Sequence, residues 1–312
     1  MAPYHDKGDL PVLSEKSKQL RLWLTKTLKN APPPASIQQA RAIVEFGASR
    51  AVLPAGTTVE PVKAGAVRAE WVRAENVATD RVIMYLHGGG FSKCSCNTAR
   101  MTVAQISAAT GCSVLSVEYR LAPENPFPAA LEDALAAYRW LLEQGHDPQK
   151  LVLMGDSSGG GLAVSTLVSL KADGDRLPCA AVLLSPWVDL SCSGESITSR
   201  AEIDPWMTEQ ECRACAEMYA PGADLKNPLI SPIHADLQGL PPLLIHVGTD
   251  EILLDDSQRL AGKAREAGVE VTMHVQEGMW HVWHYFAPHL PEGVEAIGQV
   301  GDYVRSRMVA GA

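Results

Sequence analysis

One turn of the chain constrains the fold more than any other segment. Residues 151–154 are an uninterrupted apolar run, typical of a buried strand, and Gly-Asp-Ser-Ser-Gly follows at residues 155–159 before a helix-like stretch. A serine in so sharp a strand-to-helix turn takes a strained backbone, and a side chain in place of Gly155 or Gly159 would collide with the neighbouring strand or helix. The hydroxyl is then exposed above a sheet, near a helix N-terminus that favours negative charge. The pattern makes Ser157 a candidate nucleophile.

A second strand-like run ends in a glycine loop. Residues 81–86 are mostly apolar and lead into His-Gly-Gly-Gly-Phe at residues 87–91. Such a loop can direct consecutive backbone N–H groups at one point, as a tetrahedral oxyanion requires. A flexible hinge and a phosphate cradle are the alternatives, but no Gly-Lys-Ser or Gly-Lys-Thr follows, which excludes a P-loop.

A third segment supplies two acids and a histidine. The apolar run at residues 243–247 is followed by Asp250 and Glu251, and His281 lies further along in the sequence Gly-Met-Trp-His at residues 278–281. The chain order is therefore glycine loop, serine, acid, histidine. This order is typical of α/β-hydrolases and differs from the orders in chymotrypsin and subtilisin.

On these residues the chain resembles the hormone-sensitive-lipase family of carboxylesterases, which carries a His-Gly-Gly-Gly loop. The matching motifs are His-Gly-Gly-Gly-Phe at 87–91, Tyr-Arg-Leu-Ala-Pro-Glu at 119–124, Gly-Asp-Ser-Ser-Gly-Gly at 155–160, Ser-Pro-Trp at 185–187, Ser-Pro at 231–232 and Gly-Met-Trp-His at 278–281. The resemblance implies an α/β-hydrolase fold, with a mostly parallel central sheet flanked by helices and a helical cap. It also implies a serine carboxylesterase that hydrolyses short- to medium-chain acyl esters through an acyl-enzyme intermediate. No metal or organic cofactor is then needed, and a homodimer is one expectation because family members often pair.

Two other functions use the same fold. A deacetylase or a lactone hydrolase would act with the same triad on an amide or a cyclic ester. The plant gibberellin receptor is a ligand-binding protein of this fold that lacks the catalytic histidine. The presence of Ser157, His281 and an acid in this chain argues against a pure receptor.

The triad acid is the least determined member of the predicted site. Asp250 and Glu251 are adjacent, and either carboxylate could hold the imidazole in the correct tautomer. The family usually has aspartate followed by proline and leucine, from which this chain departs. Aligning the strand after Pro242 with the family pattern places Glu251 at the acid position, with Asp250 as the alternative. His281 is the expected base, since it lies in the loop after the last strand, with His284 as a local competitor.

The oxyanion hole is expected to consist of the backbone N–H groups of Gly89, Gly90 and Ser158. Within the predicted cap, Asp204 begins a stretch that is typical of a helix N-terminus carrying Trp206. Here Asp-Pro is expected at the N-cap and the first helical position. Phe91 and Trp206 are the candidates for the acyl pocket, and a bulky cap over the site would suit short acyl chains.

Four polar residues near these motifs are expected to brace the site rather than to react. The ring of His87 is expected to brace the glycine loop, and Asp156 and Glu124 to brace the serine turn and its surroundings. Arg120 is expected to be an ion-pair anchor beside these two acids.

Strand-like and helix-like runs alternate through the middle of the chain, as in a mostly parallel sheet. Two stretches do not fit this alternation, one at the start of the chain and one that is too long for a simple connection. We expect residues 1–55 to be an N-terminal helical cap segment. Residues 56–312 are expected to be the catalytic domain, with a cap insertion at about residues 191–227.

Composition limits the partners of the chain. A net charge of −9 would repel nucleic acid and anionic membrane surfaces, which leaves a small-molecule ester as the expected partner. The first residues are polar, and no stretch of about twenty apolar residues occurs, so no membrane anchor is expected. The seven cysteines are scattered, which fits reduced thiols and a cytoplasmic location. No cysteine pair is followed by a second pair at zinc-site spacing, so no metal is expected.

Overall fold

A computed structural model describes residues 13–308 of the chain. Within that range eight strands form one sheet. The strands are β1 (Thr58–Ala64), β2 (Val67–Arg73), β3 (Ala78–Leu86), β4 (Cys112–Glu118), β5 (Leu151–Asp156), β6 (Ala180–Leu184), β7 (Leu243–Gly248) and β8 (Val271–Gln276). The α-helices are α1 (Glu15–Leu24), α2 (Ile37–Ala48), α3 (Cys96–Thr110), α4 (Ala129–Glu143), α5 (Ser158–Asp173), α6 (Ser196–Ser199), α7 (Glu209–Tyr219), α8 (Leu254–Glu266) and α9 (Pro291–Arg307).

The sheet order is β1-β2-β4-β3-β5-β6-β7-β8. The pairs β1·β2 and β2·β4 are antiparallel, and all other neighbouring strands are parallel. The prediction of a mostly parallel central sheet flanked by helices is therefore confirmed. The described residues also form four short helical turns, a π-helical turn at Thr25–Lys29 directly after α1 and 3-10 turns at Pro148–Lys150, Pro232–His234 and Trp283–Phe286.

Both faces of the central strands are buried, which explains why these strands are almost wholly apolar. On one face, side chains such as Leu153 and Leu183 pack against α4, α5 and α8. On the other face, Met154 and Leu184 pack against α3 and α9. Successive residues of a strand point to opposite faces, so each central strand contributes to both cores.

The strand order places a natural crevice between β3 and β5. The chain leaves β3 for β4 on one side, whereas β5 lies on the other side of β3. In open parallel sheets, ligands bind beyond the carboxyl ends of the strands at such a reversal. The glycine loop follows β3 and the serine turn follows β5, so both predicted elements meet at this crevice.

Helices from the two stretches outside the alternation lie near the carboxyl ends of the strands. The first stretch contributes α1, the π-helical turn and α2, and the second contributes α6 and α7. Residues 1–12 of the expected N-terminal cap fall outside the described range. The cap boundaries therefore stay predictions.

The prediction of a helix that begins at Asp204 is wrong. One carboxylate oxygen of Asp204 accepts the backbone N–H groups of Trp206 and Met207, at 2.8 and 2.9 Å, and the other accepts that of Ile252 at 2.9 Å. These bonds satisfy the N–H groups without a helix. The helix α7 begins later, with Thr208 as its N-cap.

Two elements were not among the sequence predictions. The edge strand β1 contains Pro61 and has mostly exposed side chains, so it lacks the apolar signal of the central strands. The helix α9 follows the last predicted strand and packs on the α3 side of the sheet. Both elements extend the fold without altering the predicted core.

Candidate active site

The serine turn has the strained geometry that the sequence predicts. Ser157 lies between β5 and α5 with φ 53° and ψ −124°. A Cβ atom at Gly155 would lie 2.3 Å from the carbonyl oxygen of Gly159, and one at Gly159 would lie 2.1 Å from that of Leu86. Neither position can therefore hold a side chain. The backbone N–H of Ser157 donates to Leu184 at 2.9 Å, which holds the turn on the sheet.

The loop after β8 brings His281 to this serine. Nε2 of His281 lies 2.9 Å from Oγ of Ser157. Both residues are buried, at 3% and 7% exposure, so bulk water does not compete for this contact. A nucleophile and its base require this reach, and the pair can transfer the hydroxyl proton to the imidazole.

Glu251 lies on the other side of the same imidazole. Its Oε1 is 3.6 Å from Nδ1 of His281. Its Oε2 accepts the hydroxyl of Ser185 at 2.8 Å and the backbone N–H of Gly248 at 3.3 Å. Among residues 13–308, Oε1 and Nδ1 are both buried with no other hydrogen-bond partner. The two unsatisfied atoms face each other, and catalytic hydrogen bonds of this kind tighten when substrate binds.

The alternative acid, Asp250, is engaged elsewhere. Its carboxylate pairs with Arg21 at 2.7 Å and accepts the hydroxyl of Thr249 at 2.8 Å. Its side chain is 21% exposed, whereas Glu251 is fully buried against the imidazole. The geometry therefore favours Glu251 as the acid partner of His281.

The local competitor His284 is engaged with another histidine instead of the serine. Its Nε2 contacts Nδ1 of His246 at 3.1 Å, in a buried pair behind the loop. Burial lowers the pKa of His284 to about 3, so this ring stays neutral. Of the two histidines in this loop, His281 is the one placed to act as a base.

The charges around His281 set its protonation. Burial by itself lowers the pKa of His281, but the close carboxylate of Glu251, with the carboxylates of Asp204 and Asp156 adding to its effect, raises it above its ordinary value. A raised pKa makes the imidazole a stronger base. It also means that the base is lost at a higher pH than for an ordinary histidine.

The glycine loop presents free donors toward Ser157. Gly89 and Gly90 have φ of 111° and 61°, which residues with a side chain rarely adopt. Within the described part of the chain, the backbone N–H groups of Gly89, Gly90 and Ser158 donate to no protein acceptor. Ser158 is the first residue of α5, where backbone N–H groups lack partners in the helix. Three unused donors beside a serine hydroxyl are the kind of arrangement that can stabilise an oxyanion.

Of the two acids expected to brace the site, Asp156 bonds to the loops around Ser157, whereas Glu124 pairs with a helix elsewhere. Asp156 accepts the N–H of Gly88 at 3.0 Å and the hydroxyl of Tyr285 at 2.7 Å, which links the serine turn to the glycine and histidine loops. Glu124 pairs with a cap arginine, Arg41 of α2, at 2.7 Å. Arg120 is an ion-pair anchor, but it is not paired with either of these acids. Its partners are the acids at the start of α4, Glu132 and Asp133.

His87 braces the glycine loop as expected. Its ring stacks on Tyr119 with centroids 4.3 Å apart, and its Nδ1 lies 2.7 Å from the carbonyl oxygen of Gly88. The hydroxyl of Tyr119 donates to the carbonyl of His87 at 2.6 Å. The ring therefore supports the backbone of the glycine loop, which carries the predicted oxyanion donors.

A small cavity of about 110 Å³ opens onto the serine. It is lined by Val44, Gly89, Gly90, Lys93, Cys94, Asp156, Ser157, Trp187, Trp206, Met207, Glu211, Cys212, Cys215, His281, Val282 and Tyr285. Trp206, a candidate for the acyl pocket, is among the lining residues, with its ring edge-on to the imidazole of His281 at 6.0 Å between centroids. Phe91 does not line it, because that ring is 2% exposed and stacks on Tyr219 at 3.8 Å between centroids.

Comparison with known proteins places this geometry in a family. A family described as alpha/beta hydrolase fold matches residues 83–285. An acetyl-hydrolase of Streptomyces hygroscopicus is 46% identical over 245 residues, covering 78% of this chain and 82% of that relative. A crystal structure of an esterase from the bacterial hormone-sensitive lipase family matches with a TM-score of 0.92 at 42% identity, over 95% of this chain and 99% of the other. A crystal structure of EstE5, soaked with p-nitrophenyl butyrate, matches with a TM-score of 0.90 at 44% identity, over 95% and 100%.

The chain belongs to the hormone-sensitive-lipase family of α/β hydrolases. The predicted family, fold and carboxylic ester hydrolase class are thus confirmed. Each of these two solved esterases matches 95% of this hormone-sensitive-lipase family member.

Two residues with a place in this family member's site were not assigned a role from the sequence. Ser185 links the acid to the histidine loop, since its hydroxyl donates to Glu251 and accepts the backbone N–H of Val282 at 3.2 Å. The Ser-Pro-Trp motif gave a signal for it. Arg21 reaches the site from α1 over a separation of 229 residues, which no local pattern could indicate.

Two further observations concern metal-binding clusters and membrane-spanning helices. Among residues 13–308, no cluster of three or more histidine, cysteine or acidic side chains is arranged to hold a metal ion. No helix in the same range is long and apolar enough to span a bilayer.

Proposed function

We propose that this carboxylic ester hydrolase cleaves esters of short- to medium-chain acids through a covalent acyl-enzyme, with Ser157 as nucleophile. The observation that carries the proposal is the 2.9 Å contact between Oγ of Ser157 and Nε2 of His281. That contact lies at a small cavity, beside backbone N–H groups that donate to no protein acceptor among residues 13–308. The expected partner is therefore a small ester.

In the first half of the reaction, His281 acts as general base. Nε2 takes the hydroxyl proton as Oγ of Ser157 forms a bond to the ester carbonyl carbon. The imidazole becomes a cation, which the carboxylate of Glu251 stabilises through Nδ1. The same carboxylate keeps the proton on Nδ1 in the resting enzyme, so that Nε2 is free to accept one.

The backbone N–H groups of Gly89, Gly90 and Ser158 receive the oxyanion. As the carbonyl becomes tetrahedral, negative charge develops on its oxygen, and fixed donors stabilise that charge more than they stabilise the ester. Loss of one such donor costs about 3 kcal/mol of transition-state stabilisation.

The second half of the reaction repeats these steps with water. His281 returns its proton to the leaving alkoxide as the carbon–oxygen bond breaks, and the alcohol departs. Water then attacks the acyl-enzyme while His281 takes one of its protons. The bond to Oγ breaks, the proton returns to Ser157, and the carboxylic acid is released.

The cavity favours a small acyl group. Pockets that hold drug-sized ligands have volumes of about 300–1,000 Å³. The cavity beside Ser157 measures about 110 Å³, and Trp206 and Met207 form part of its wall. A butyrate ester was also the molecule soaked into the crystals of the similar esterase EstE5. Short acyl chains are therefore the proposed preference.

The test is hydrolysis of p-nitrophenyl acetate, butyrate and octanoate by the purified protein and by Ser157→Ala. We expect turnover of acetate and butyrate, a lower kcat/KM on octanoate, and loss of turnover in the variant. Ser165→Ala, a buried serine further along α5, serves as the matched control and is expected to keep the parent's rate. No ester turnover in the parent, with cleavage of p-nitroacetanilide instead, would replace the ester proposal with an amidase. Equal rates on acetate and octanoate would refute the chain-length preference.

A homodimer and a cytoplasmic location stay predictions. The size of the protein in solution, measured by light scattering, decides the first. Cell fractionation decides the second.

A further inference from the structure

Arg21 of α1 contacts three separate segments around the catalytic residues. Its Nη2 donates to Oδ2 of Asp250 at 2.7 Å and to the carbonyl of Gly278 at 2.6 Å. Its Nη1 donates to the carbonyl of Ile203 at 2.9 Å. The guanidinium is planar and has fixed donor directions, so these bonds set the relative positions of the segments.

Two of these segments carry members of the triad. Asp250 directly precedes Glu251 at the end of β7, and Gly278 begins the short turn that ends at His281. One nitrogen of Arg21 therefore bridges the acid turn and the histidine loop from outside.

This bridge controls the separation between Glu251 and His281, which form the longest and weakest contact of the triad. Oε1 of Glu251 lies 3.6 Å from Nδ1 of His281, longer than a hydrogen bond. By contrast, the contact between His281 and Ser157 is 2.9 Å. A small outward movement of either loop would leave the imidazole without its carboxylate, because the gap is already wide.

Hydrogen bonds between neutral groups also join the acid turn to the histidine loop, and Arg21 adds bonds from a charged group. The backbone N–H of Asp250 donates to Met279 at 2.9 Å, and that of Gly278 donates to the hydroxyl oxygen of Thr249 at 2.8 Å. The same hydroxyl donates to Oδ1 of Asp250 at 2.8 Å. Charge-assisted bonds are about twice as strong as neutral ones, so the guanidinium is the strongest single link in this set.

We infer that Arg21 is a positioning residue for catalysis, which holds the acid turn and the histidine loop so that Glu251 stays aligned with His281. The inference rests on the proposed function, and it assigns a catalytic consequence to the N-terminal helix. Arg21 acts through Asp250 and Gly278 and touches neither the substrate nor the reacting atoms.

If Arg21 had a purely structural role, it would only attach the cap to the rest of the protein. Lys29 makes similar attachments and so serves as a comparison. Nζ of Lys29 donates to the carbonyls of Ala201, Glu202 and Asp204, the shortest at 2.5 Å, in the same cap stretch that Arg21 contacts through Ile203. Among these contacts of Lys29, none is to the acid turn or to the histidine loop. Lys29→Met therefore loosens the cap stretch and reaches the acid turn only through Asp204 and its bond to Ile252, whereas Arg21→Gln also removes the direct bonds to both triad loops.

The test compares Arg21→Gln, Arg21→Lys and Lys29→Met with the parent on p-nitrophenyl butyrate. We expect Arg21→Gln to lower kcat about tenfold with KM changed less than about twofold, since small misplacements of catalytic groups act on kcat. Arg21→Lys keeps a cation that can still reach Asp250 and should recover part of the loss. Lys29→Met should lower the melting temperature but reduce kcat much less than Arg21→Gln does, because its only route to the acid turn is indirect. Equal losses of kcat in Arg21→Gln and Lys29→Met, or the parent's kcat in a folded Arg21→Gln, would overturn the inference.

The pKa of His281, measured by NMR titration, gives a second readout that does not need turnover. The groups that face this ring are the carboxylates of Glu251, Asp204 and Asp156 and the neutral ring of His284. Loss of a nearby cation alone would raise the pKa of His281, whereas loss of alignment with Glu251 would lower it. We expect a lower value in Arg21→Gln, and an unchanged or higher value would contradict the inference. If the parent hydrolyses no ester, the proposed function fails while this titration still decides the role of Arg21.

Discussion

Replacing Glu251 by glutamine keeps its shape and removes the property that the triad needs. Oε2 of Glu251 accepts two hydrogen bonds, from the hydroxyl of Ser185 at 2.8 Å and from the N–H of Gly248 at 3.3 Å. An amide has a single oxygen, which would take this place and turn its NH₂ group toward His281. Two donors would then face each other, unless the imidazole moves its proton from Nδ1 to Nε2. In that tautomer Nε2 donates to Ser157 and cannot accept its proton.

The expected loss follows from this tautomer change. The same carboxylate-to-amide substitution in a serine protease triad lowers kcat about 10⁴-fold. At about 1.36 kcal/mol per factor of ten, this amounts to about 5.4 kcal/mol of activation free energy. We expect a loss of this size in Glu251→Gln, with little change in melting temperature because the volume of the side chain is kept.

Asp250→Asn is the matched control, because it makes the same chemical change at the adjacent residue. Asp250 loses an ion pair with Arg21 in which both side chains are more than a fifth exposed. Such pairs contribute about 0.2–1 kcal/mol, so the melting temperature should fall slightly and kcat by no more than about tenfold. The assay is kcat on p-nitrophenyl butyrate for both variants. A kcat for Glu251→Gln within tenfold of the parent, together with a thousandfold loss in Asp250→Asn, would refute the assignment.

Two further predictions concern pH and the cavity. The base form of His281 is required, and its pKa lies above the ordinary value of about 6.5, so kcat/KM should fall as pH is lowered through that raised value. A pH profile whose acid limb lies well below pH 6 would contradict the carboxylate environment of the ring. Trp206→Ala should enlarge the cavity and raise the ratio of octanoate to acetate turnover, whereas Trp140→Ala on α4, away from the cavity lining, should leave the ratio unchanged. An unchanged ratio in Trp206→Ala would show that this ring does not limit chain length.

The sequence predicted the elements whose signal is local. The serine turn is specified by glycines that no other residue can replace, and the buried parallel strands by continuous apolar runs. The order of the motifs was enough to select the fold and to bring Ser157, His281 and Glu251 together. At these positions the residue type that the structure requires is itself the pattern that the sequence shows.

The remaining features depend on contacts between distant parts of the chain. Asp204 resembles a helix N-cap, but its second carboxylate oxygen bonds to Ile252, and the competing turn prevails. Phe91 follows the glycine loop and was expected in the acyl pocket, but Tyr219 of α7 stacks on it and holds it in the core. Arg21 gave no signal, because its partners lie at the opposite end of the sequence. A local pattern does not contain the identity of a distant partner.

The position of Asp156, directly before Ser157, has a consequence for laboratory evolution of this enzyme. One buried carboxylate, Asp156, receives the N–H of Gly88 and the hydroxyls of Tyr85 and Tyr285, so all three loops of the site share a single anchor point. Random replacement of this residue would displace the glycine loop and the histidine loop together, and most library members would be inactive whatever their pocket. Libraries that aim at new substrates should therefore keep Asp156 and its two tyrosines fixed, and place their diversity on the cap side of the cavity, at Trp206 and Met207.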